Sequence, residues 1–445
     1  MMTWISLLSA SRWGRSAGTP RSAAEDIRNE FDRDYGRILY SSAFRRLQDK
    51  TQVVPIGRDD YVRTRLTHSL EVAYIGRSIG YGVGEALISR RPELREAGMR
   101  PSHFASVVSA ACLAHDIGNP PFGHFGESAL ESALEKATAR GEVPAGFSKK
   151  FEGNAQGFRV LTRTGDPMAG KGLKLTAAVL GAFMKYPCSE KFSATGTGEI
   201  AAKKFGFLSD DAEAARFVAT ETGMIPRADE AEPDVLLAWR RHPLAFLMEA
   251  ADDLSYLVAD MEDAFVSKVI SRDEFRGHLD AFLSDEERSR ADSISADEGE
   301  ESAAHYVRAV AIGAGIRETR RVFLEREEAL LAGTQNRAML DDPAFAFSEA
   351  TKKLKAFSAA HIYNARLDTE LMGFRVIEGL FEFFSEWIAK PESARGKKIA
   401  LMLDGAELAG APAEARTLRL LDFISGMTDS AALSTYRKLF GIPNR

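Results

Sequence analysis

Cysteine and long apolar runs are both scarce in this chain. Two of the 445 residues are cysteines, Cys112 and Cys188, and they do not form a C-x-x-C pair. We therefore expect no disulfide framework, and we expect a cytoplasmic location. No stretch approaches the roughly 20 uncharged apolar residues that a membrane span requires. The apolar segment 4–10 has no basic residue before it, so we do not interpret it as a secretory signal.

An excess of positive charge is also missing, because the formal net charge is -6 at pH 7. The whole molecule should therefore not attract nucleic acid by charge alone. Residues 41–65 nevertheless contain six basic residues against three acidic ones. This local basic patch suits a phosphate-bearing ligand, although an ordinary solvated surface explains the charges equally well.

Strand signals are few, and helical periodicity dominates. Apolar residues recur at three- and four-residue spacing, which is typical of one buried helical face. The segments with this spacing are 72–83, 108–115, 244–265, 370–387 and 417–427. Gly118, Pro120 and Pro121 terminate the second of these segments. We therefore predict a mainly α fold.

Two segments have the composition of exposed loops. Residues 189–198 are polar and glycine-rich, and residues 284–302 are densely charged with little apolar content. Residues 51–55 are predicted to be a short extended piece. Because neither loop resembles a domain linker and no internal repeat is present, we expect residues 1–445 to form one elaborated domain.

Two histidines have neighbours that suit chemistry. His115 is directly followed by Asp116 at the end of an apolar helix, so an imidazole and a carboxylate emerge together. His68 lies three residues after Arg65, on the same predicted helical face. Taken alone, a His-Asp pair is more often structural than metal-binding, so both interpretations stay open at this point.

A polar stripe runs along one predicted helix far downstream. Asp252, Tyr256 and Asp260 are four residues apart and should share one face of that helix. Together with imidazoles, these carboxylates would form the mixed nitrogen and oxygen set that Mn, Fe or Mg centres use.

A third histidine, His124, lies between Gly123 and Gly126 in a segment rich in glycine and proline, which we predict to be a turn rather than helix. Glu127 is three residues further on and could orient the imidazole. A histidine on a rigid turn is poorly placed for core packing, and it is well placed to donate a proton to a leaving group.

Six blocks resemble those of the bacterial deoxyguanosine triphosphate triphosphohydrolases, which belong to the HD superfamily. They occur in the family's order and are RRLQDKTQV from residue 45, RTRLTHSLEV from 63, HDIGNPPFGHFGE from 115, FEGNAQG from 151, MEAADDLSYLVAD from 248 and ISGMTD from 424. The resemblance extends from about residue 26 to residue 440. It implies an HD-domain helical core over 26–270. A helical C-terminal part over 271–445 would complete the nucleotide site and provide oligomer contacts.

The resemblance also assigns roles by matching position. The implied metal ligands are His68, His115, Asp116 and Asp252. The implied acid/base pair is His124 with Glu127. The implied substrate-binding residues are Arg65 and Lys185 at the phosphates, Gln52, Val53 and Asp260 around the deoxyribose, Tyr186 and Tyr256 beside them, and Glu370 at the guanine edge. No chemical step is assigned to the block at 151–157.

The implied reaction is hydrolysis of dGTP to deoxyguanosine and inorganic triphosphate with a divalent metal, Mn²⁺ or Mg²⁺. The resemblance further implies a homo-oligomer, such as a hexamer, and regulation by single-stranded DNA or nucleotides. The family has a longer segment between Glu378 and Thr417 that carries a base-contacting arginine. Here Arg395 or the neighbouring lysines 397 and 398 could take that place.

Two alternatives stay open. One is a dNTP triphosphohydrolase of broader specificity or another HD phosphohydrolase. The other belongs to a different class, a non-catalytic regulatory protein that responds to nucleotides or single-stranded DNA. The retention of His115, Asp116, His124 and Asp252 argues against the second, because a protein without catalysis has no physical need for all four.

Overall fold

The computed structural model describes residues 1–14, 27–52, 63–165, 172–193, 200–227, 237–362 and 367–442, without the side chains of residues 367–370. Within these ranges helices dominate, and β-structure is limited to isolated bridges such as the one that joins Thr51 to Thr64. The predicted mainly α fold is confirmed. None of the helices in the described ranges combines the length and the apolar composition needed to cross a membrane.

The helices of the first half precede the long helix at residue 243. They are α1 (Trp4–Leu7), α2 (Glu30–Leu39), α3 (Ser42–Arg45), α4 (Arg65–Arg90), α5 (Pro92–Glu96), α6 (Pro101–Ala114), α7 (Gly123–Ala139), α8 (Gly153–Arg159), α9 (Ala177–Phe183), α10 (Glu190–Ser193) and α11 (Ala212–Thr222). The helices of the second half are α12 (Pro243–Val266), α13 (Arg272–Leu279), α14 (Asp285–Glu298), α15 (Glu300–Glu325), α16 (Glu327–Ala332), α17 (Ser348–His361), α18 (Leu367–Ala389), α19 (Ala394–Met402), α20 (Ala413–Ser425) and α21 (Asp429–Leu439).

Short helical turns supplement these helices. The 3-10 turns are Arg46–Asp49, Ile200–Ala202, Ser209–Asp211, Asp280–Phe282, Met339–Asp341 and Ala406–Leu408, and a π-helical turn at Val160–Thr164 extends α8.

Helices α4 and α6 pack unusually closely because α4 presents glycines to α6. A Cβ atom at Gly76 would lie 2.4 Å from the Cys112 Sγ, and one at Gly80 would lie 3.0 Å from a backbone oxygen of α6. Neither position leaves room for a side chain, so the two backbones come into contact. The antiparallel pairing brings His68, near the start of α4, beside His115, which follows the end of α6.

Helix α12 packs across α4, α6 and α15. Its apolar side chains, among them Leu247, Leu254 and Met261, are buried in the main core. The predicted apolar stripe of this helix is therefore confirmed. Asp252, the first residue of the predicted polar stripe, contacts His68.

A second core joins α7 to the C-terminal helices. Leu130 and Leu134 of α7 pack with Ile377, Phe381 and other buried residues of α18 to α21. Since the first turn of α7 carries His124 and Glu127, the C-terminal helices determine where that turn lies.

The prediction of a loop at 284–302 is wrong, because these residues form α14 and the start of α15. A capping box begins α14: the Ser284 side chain accepts from the Glu287 backbone N–H, and the Glu287 side chain accepts from the Ser284 N–H. Ala291 is fully buried against the neighbouring helices. The charged surface is therefore the solvated face of a packed helix.

The other two local predictions fall partly outside the described residues. Residues 190–193 of the predicted loop at 189–198 form α10, with Phe192 buried, so the loop prediction is wrong there; residues 194–199 are not described. Of the predicted extended piece at 51–55, Thr51 forms a β-bridge, and residues 53–55 lie outside the description.

Candidate active site

Four predicted ligand residues meet where α4, α6 and α12 converge. His68, His115 and Asp116 each offer one donor atom within 4.8 Å of the others, a group that could hold a metal ion. Asp252 joins them, because its Oδ1 lies 3.1 Å from the His68 Nε2 and 3.4 Å from the His115 Nε2. The structure thus brings together side chains that are up to 184 residues apart in the chain.

Hydrogen bonding orients one imidazole toward this cluster. The His115 Nδ1–H donates to the Cys112 carbonyl oxygen at 2.7 Å, so Nε2 is the atom that faces the carboxylates. Burial opposes a charged imidazole, but Asp116 and Asp252 outweigh it and raise the pKa of His115 to about 9. Burial likewise disfavours an ionised Asp252, yet His115 and His68 hold the pKa of Asp252 well below its usual range.

The second oxygen of Asp116 is bound by Arg65. The Arg65 guanidinium donates to the Asp116 Oδ2 at 2.8 Å, and Asn119 donates to the Oδ1 at 2.5 Å. Burial would raise the pKa of Asp116, but Arg65 and His115 lower it. The Nε of Arg65 is shielded from solvent and has no hydrogen-bond partner among the described residues. Arg65 can therefore bind a further acceptor while it holds Asp116.

The predicted turn at His124 is wrong, because this residue lies in the first turn of α7. The preceding Phe122 and Gly123 take left-handed conformations, with φ of 62° and 58°, and they start the helix. Glycine suits position 123, because it has no Cβ and adopts a positive φ without a steric clash. A Cβ at Gly123 would lie 2.8 Å from the Arg65 guanidinium, which places the His124 turn beside the Asp116–Arg65 pair.

His124 and Glu127 form a hydrogen-bonded pair. The His124 Nδ1 is 2.9 Å from the Glu127 Oε2, and the imidazole is 81% exposed, so its other nitrogen is accessible. Burial would raise the pKa of Glu127, but the hydrogen bond and charge of His124 bring it below its usual value. An ionised carboxylate favours a proton on Nδ1.

Helix α8 supports this pair, which gives the block at 151–157 a structural role. The Gly153 backbone N–H donates to the Glu127 Oε1 at 2.9 Å. A Cβ at Gly153 would lie 2.2 Å from the Asn119 Oδ1, so only glycine permits this approach. The side chain of Glu152 caps α8 and forms a 3.0 Å ion pair with Lys204, another cation of this region.

Lys185 belongs to a buried charge network. Its Nζ lies 3.3 Å from the Glu249 Oε1, while Arg241 donates to the Glu249 Oε2 at 2.6 Å. Burial would lower the pKa of Lys185, but Glu249 outweighs it and raises the pKa. The buried ring of Tyr186 lies 6.0 Å from the Lys185 ammonium and 5.9 Å from the Arg241 guanidinium.

Three of the four residues expected around the sugar lie in the described part of the chain. The Gln52 Oε1 is shielded from solvent and accepts no hydrogen bond from the described residues. Tyr256 is half-buried against the main core, and Asp260 is buried. Both follow Asp252 on α12, at one and two helical turns. Val53 lies outside the described residues.

Of the residues expected at the base, Arg395 is described with its side chain and Glu370 by its backbone alone. Glu370 lies in α18, and its side chain lies outside the described residues. Arg395 stacks 4.7 Å from the Phe383 ring and pairs with Glu386 at 3.1 Å. Because Phe383 is 13 residues beyond Glu370 on the same helix, the two points are about 20 Å apart. Lys397, in α19, pairs instead with Glu392, which precedes that helix.

Sequence reasoning missed several residues that contact the site. They are Lys50, Asn119, Gly153, Lys204, Arg241, Glu249 and Asp429. Five of them stand in the matched blocks without an assigned role, so the blocks were the available signal: Lys50, Asn119, Gly153, Glu249 and Asp429.

Comparison with known proteins agrees with this geometry. Residues 65–155 match the HD domain family, and residues 344–438 match the phosphohydrolase-associated domain. A deoxyguanosinetriphosphate triphosphohydrolase-like protein of Synechocystis is 38% identical over 99% of this chain and 100% of its own length. A protein of the same name from Pseudomonas aeruginosa is 33% identical over 99% of both chains.

A Klebsiella pneumoniae protein named deoxyguanosinetriphosphate triphosphohydrolase is 32% identical over 96% of this chain and 97% of its own. The HD match covers His68, His115, Asp116, His124 and Glu127. Full-length similarity of this kind means that the chain belongs to the deoxyguanosinetriphosphate triphosphohydrolase-like family of HD-domain proteins.

Proposed function

We propose that this protein hydrolyses dGTP to deoxyguanosine and inorganic triphosphate at the cluster formed by His68, His115, Asp116 and Asp252. The observation that carries the proposal is the meeting of this cluster with Arg65 and the His124 turn. It combines metal donors, a phosphate-binding cation and an acid/base group. The names of the full-length relatives support the same reaction.

The cluster fits a divalent metal, which we propose is Mn²⁺ or Mg²⁺. Two imidazole nitrogens and two carboxylates form a mixed donor set, and the two carboxylates supply the negative charge that a dication needs. When bound, such a metal neutralises phosphate charge and lowers the pKa of water.

Arg65 and Lys185 would contact the phosphates. The Arg65 Nε, beside Asp116, has no partner among the described residues, and guanidinium geometry suits phosphate oxygens. The charge network around Glu249 keeps Lys185 protonated, with its side chain 20% exposed. These cations would offset the negative charge of the triphosphate.

His124 would protonate the 5′ oxygen as the bond between that oxygen and the α-phosphorus breaks. Its Nδ1 is bound to Glu127, which leaves the exposed Nε2 to face the substrate. Glu127 in turn is held by Gly153, so the imidazole has a defined orientation. General acid catalysis of this kind contributes about 10² to 10⁴ in rate.

Selection of deoxyribose over ribose would come from the side chains around the sugar. Val53 and Tyr256 near C2′ would crowd a ribose 2′-hydroxyl, and an unpaired buried hydroxyl costs about 1–3 kcal/mol. Asp260 would accept from the 3′-hydroxyl, and the Gln52 Oε1, which has no partner among the described residues, would be a second acceptor. Tyr186 would pack beside the nucleotide, and Glu370 would read the guanine edge.

A dNTP triphosphohydrolase of broader specificity is the second candidate. The observation that favours it is the separation of about 20 Å along α18 between Glu370 and Phe383, the ring on which Arg395 stacks. With one base contact in place of two, discrimination among bases would be weaker.

The two candidates differ in a simple assay. The protein is incubated with Mn²⁺ and each of dGTP, dATP, dCTP, dTTP and GTP, and products are separated by chromatography. The dGTP-specific function predicts triphosphate and deoxyguanosine in equal amounts, with kcat/KM at least about tenfold higher for dGTP than for other dNTPs. Similar values for all dNTPs support the broader function, and no triphosphate from any dNTP overturns both.

We also infer a homo-oligomer, a cytoplasmic location and an effect of single-stranded DNA on activity. The oligomer and the DNA effect rest on the family resemblance, and the location rests on the scarcity of cysteine. Light scattering coupled to gel filtration tests the first, and assays with an added oligonucleotide test the last.

A further inference from the structure

Asp429, the first residue of α21, links three distant parts of the chain. Its Oδ1 accepts the Phe122 backbone N–H at 2.9 Å. Its Oδ2 accepts the Thr51 backbone N–H at 3.0 Å and the Thr51 hydroxyl at 2.6 Å. The carboxylate is buried, so these hydrogen bonds are shielded from water.

Both partners of Asp429 adjoin residues of the proposed site. Phe122 lies two residues before His124 and takes the left-handed conformation from which α7 starts. A left-handed non-glycine residue is strained and needs support from its surroundings. Thr51 directly precedes Gln52, whose Oε1 accepts no hydrogen bond from the described residues and which we propose contacts the sugar.

Other contacts attach the C-terminal helices, including the turn between α20 and α21, to the proposed site. The Lys50 ammonium donates to the Asn119 carbonyl oxygen at 2.6 Å and to the Ser425 carbonyl oxygen at 2.8 Å. A Cβ at Gly373 of α18 would lie 2.7 Å from the Phe122 ring, so this ring packs directly on α18. The turn before His124 is therefore held through its backbone and through its side chain.

We propose that Asp429 is a positioning residue for the reaction, which fixes the turn that carries His124 and the Thr51–Gln52 segment at the sugar. The C-terminal helices would then act in the acid/base step as well as in nucleotide binding. The inference rests on the proposed function for its kinetic consequence. Its structural part concerns the Phe122 turn and does not require a substrate.

The chain contains a matched control for a purely structural carboxylate. The Asp34 Oδ2 accepts the Thr176 backbone N–H at 2.8 Å and the Thr176 hydroxyl at 2.6 Å, the same pair of bonds that Asp429 makes with Thr51. Asp34 is fully buried and also pairs with Arg12, and its hydrogen bonds and ion pairs among the described residues do not include a residue of the proposed site. Its loss should lower stability without a selective effect on turnover.

The experiment compares wild type, Asp429→Asn, the milder Thr51→Val and Asp34→Asn. For each protein we would measure kcat and KM for dGTP, bound metal, melting temperature and hydrogen exchange of the peptide 120–127. Asp429→Asn should lower kcat about tenfold to a hundredfold, because small displacements of an acid/base group are costly. KM should rise by a smaller factor, because the Thr51–Gln52 segment at the sugar would be held less firmly, and bound metal should not change.

Exchange of the 120–127 peptide should be faster in Asp429→Asn and unchanged in Asp34→Asn. Thr51→Val should lower kcat by a smaller factor, and it provides the test if Asp429→Asn does not fold. The proposal is overturned if kcat falls no more in the two site variants than in Asp34→Asn, or if only KM changes. Wild type without dNTP turnover would instead refute the proposed function, and the exchange comparison would still test the contact.

Discussion

Asp252 and Asp253 are neighbours on α12, yet they contact different partners. Asp252 meets the imidazoles of His68 and His115, whereas Asp253 pairs with Lys355 at 3.0 Å. We predict that Asp252→Asn loses bound metal and hydrolysis together, because a neutral amide is a much weaker metal ligand. Asp253→Asn should keep the metal. Elemental analysis of the two purified variants makes the comparison, and equal metal content in both would contradict the assignment.

His124 should be separable from the metal ligands. We predict that His124→Ala keeps metal and substrate binding but lowers kcat by about 10² to 10⁴, the usual contribution of a general acid. Metal analysis and steady-state kinetics on the same preparation check this result. Loss of metal from His124→Ala would make this residue a ligand and would invalidate the division of roles.

Tyr256 and Asp260 should differ in their effect on sugar selection. Removing the ring in Tyr256→Ala opens space for a 2′-hydroxyl and its water. The dGTP-over-GTP ratio of kcat/KM should fall by about tenfold, which corresponds to ~1.4 kcal/mol. Asp260→Asn should weaken both nucleotides alike, since both sugars have a 3′-hydroxyl. A ratio unchanged in Tyr256→Ala would place sugar selection elsewhere.

Spacing and motif resemblance were sufficient to name the residues that meet at the metal cluster. The roles of these residues stay predictions. What could not be predicted is how they are supported: the Glu249 network around Lys185 and the contact of Asp429 with Phe122 join residues that are distant in the chain. Such contacts depend on packing of whole helices, which no local pattern encodes.

The pairing of α4 with α6 depends on glycine at one position. A Cβ at Gly76 would come 2.4 Å from the Cys112 Sγ. We predict that Gly76→Ala destabilises the protein by about 1–3 kcal/mol through overpacking. The double variant with Cys112→Ala should recover part of this loss, because the obstructing sulfur is removed.

Gly36 provides the control for helix propensity. It also lies within a helix, α2, but no atom lies within 4 Å of a Cβ placed there. Gly36→Ala should therefore be neutral or stabilising by up to about 1 kcal/mol. Urea unfolding of the three variants checks the set, and equal effects of Gly36→Ala and Gly76→Ala would show that close packing is not the cause.

Helices were predictable where apolar side chains recur with helical spacing, as in α4, α6 and α12. The prediction failed for α14, because its composition is charged and its main signal is the capping box at Ser284. It also failed at His124, where glycine and proline precede a helix and do not replace it. Both predictions relied on composition, whereas the backbone geometry and capping at the helix ends determine where α14 and α7 begin.

The whole molecule should lose stability in mild acid through His242. The backbone N–H of Leu244 donates to the His242 Nδ1, and the Nε2–H donates to the Leu7 carbonyl oxygen at 3.0 Å, so the buried ring must be neutral. Burial lowers the pKa of His242 to about 4. The unfolded state then binds the proton first, and the stability from this residue is present above about pH 6.5 and lost as pH falls toward 4.

Because of His242, we expect the free energy of unfolding to fall by about 2 kcal/mol between pH 7.5 and pH 5. Urea unfolding at several pH values measures the change in wild type and in His242→Asn, which keeps a capping side chain but cannot take up the proton. The variant should show a shallower pH dependence. Identical slopes would contradict the role of His242.

The central claim concerns which bond of the nucleotide breaks, and isotope labelling tests it most directly. The protein is incubated with dGTP and Mn²⁺ in water enriched in ¹⁸O, and the products are analysed by mass spectrometry. Attack at the α-phosphorus with departure of the 5′ oxygen predicts one ¹⁸O atom in the inorganic triphosphate and none in deoxyguanosine. Label in deoxyguanosine, or formation of dGMP and pyrophosphate, would contradict the account.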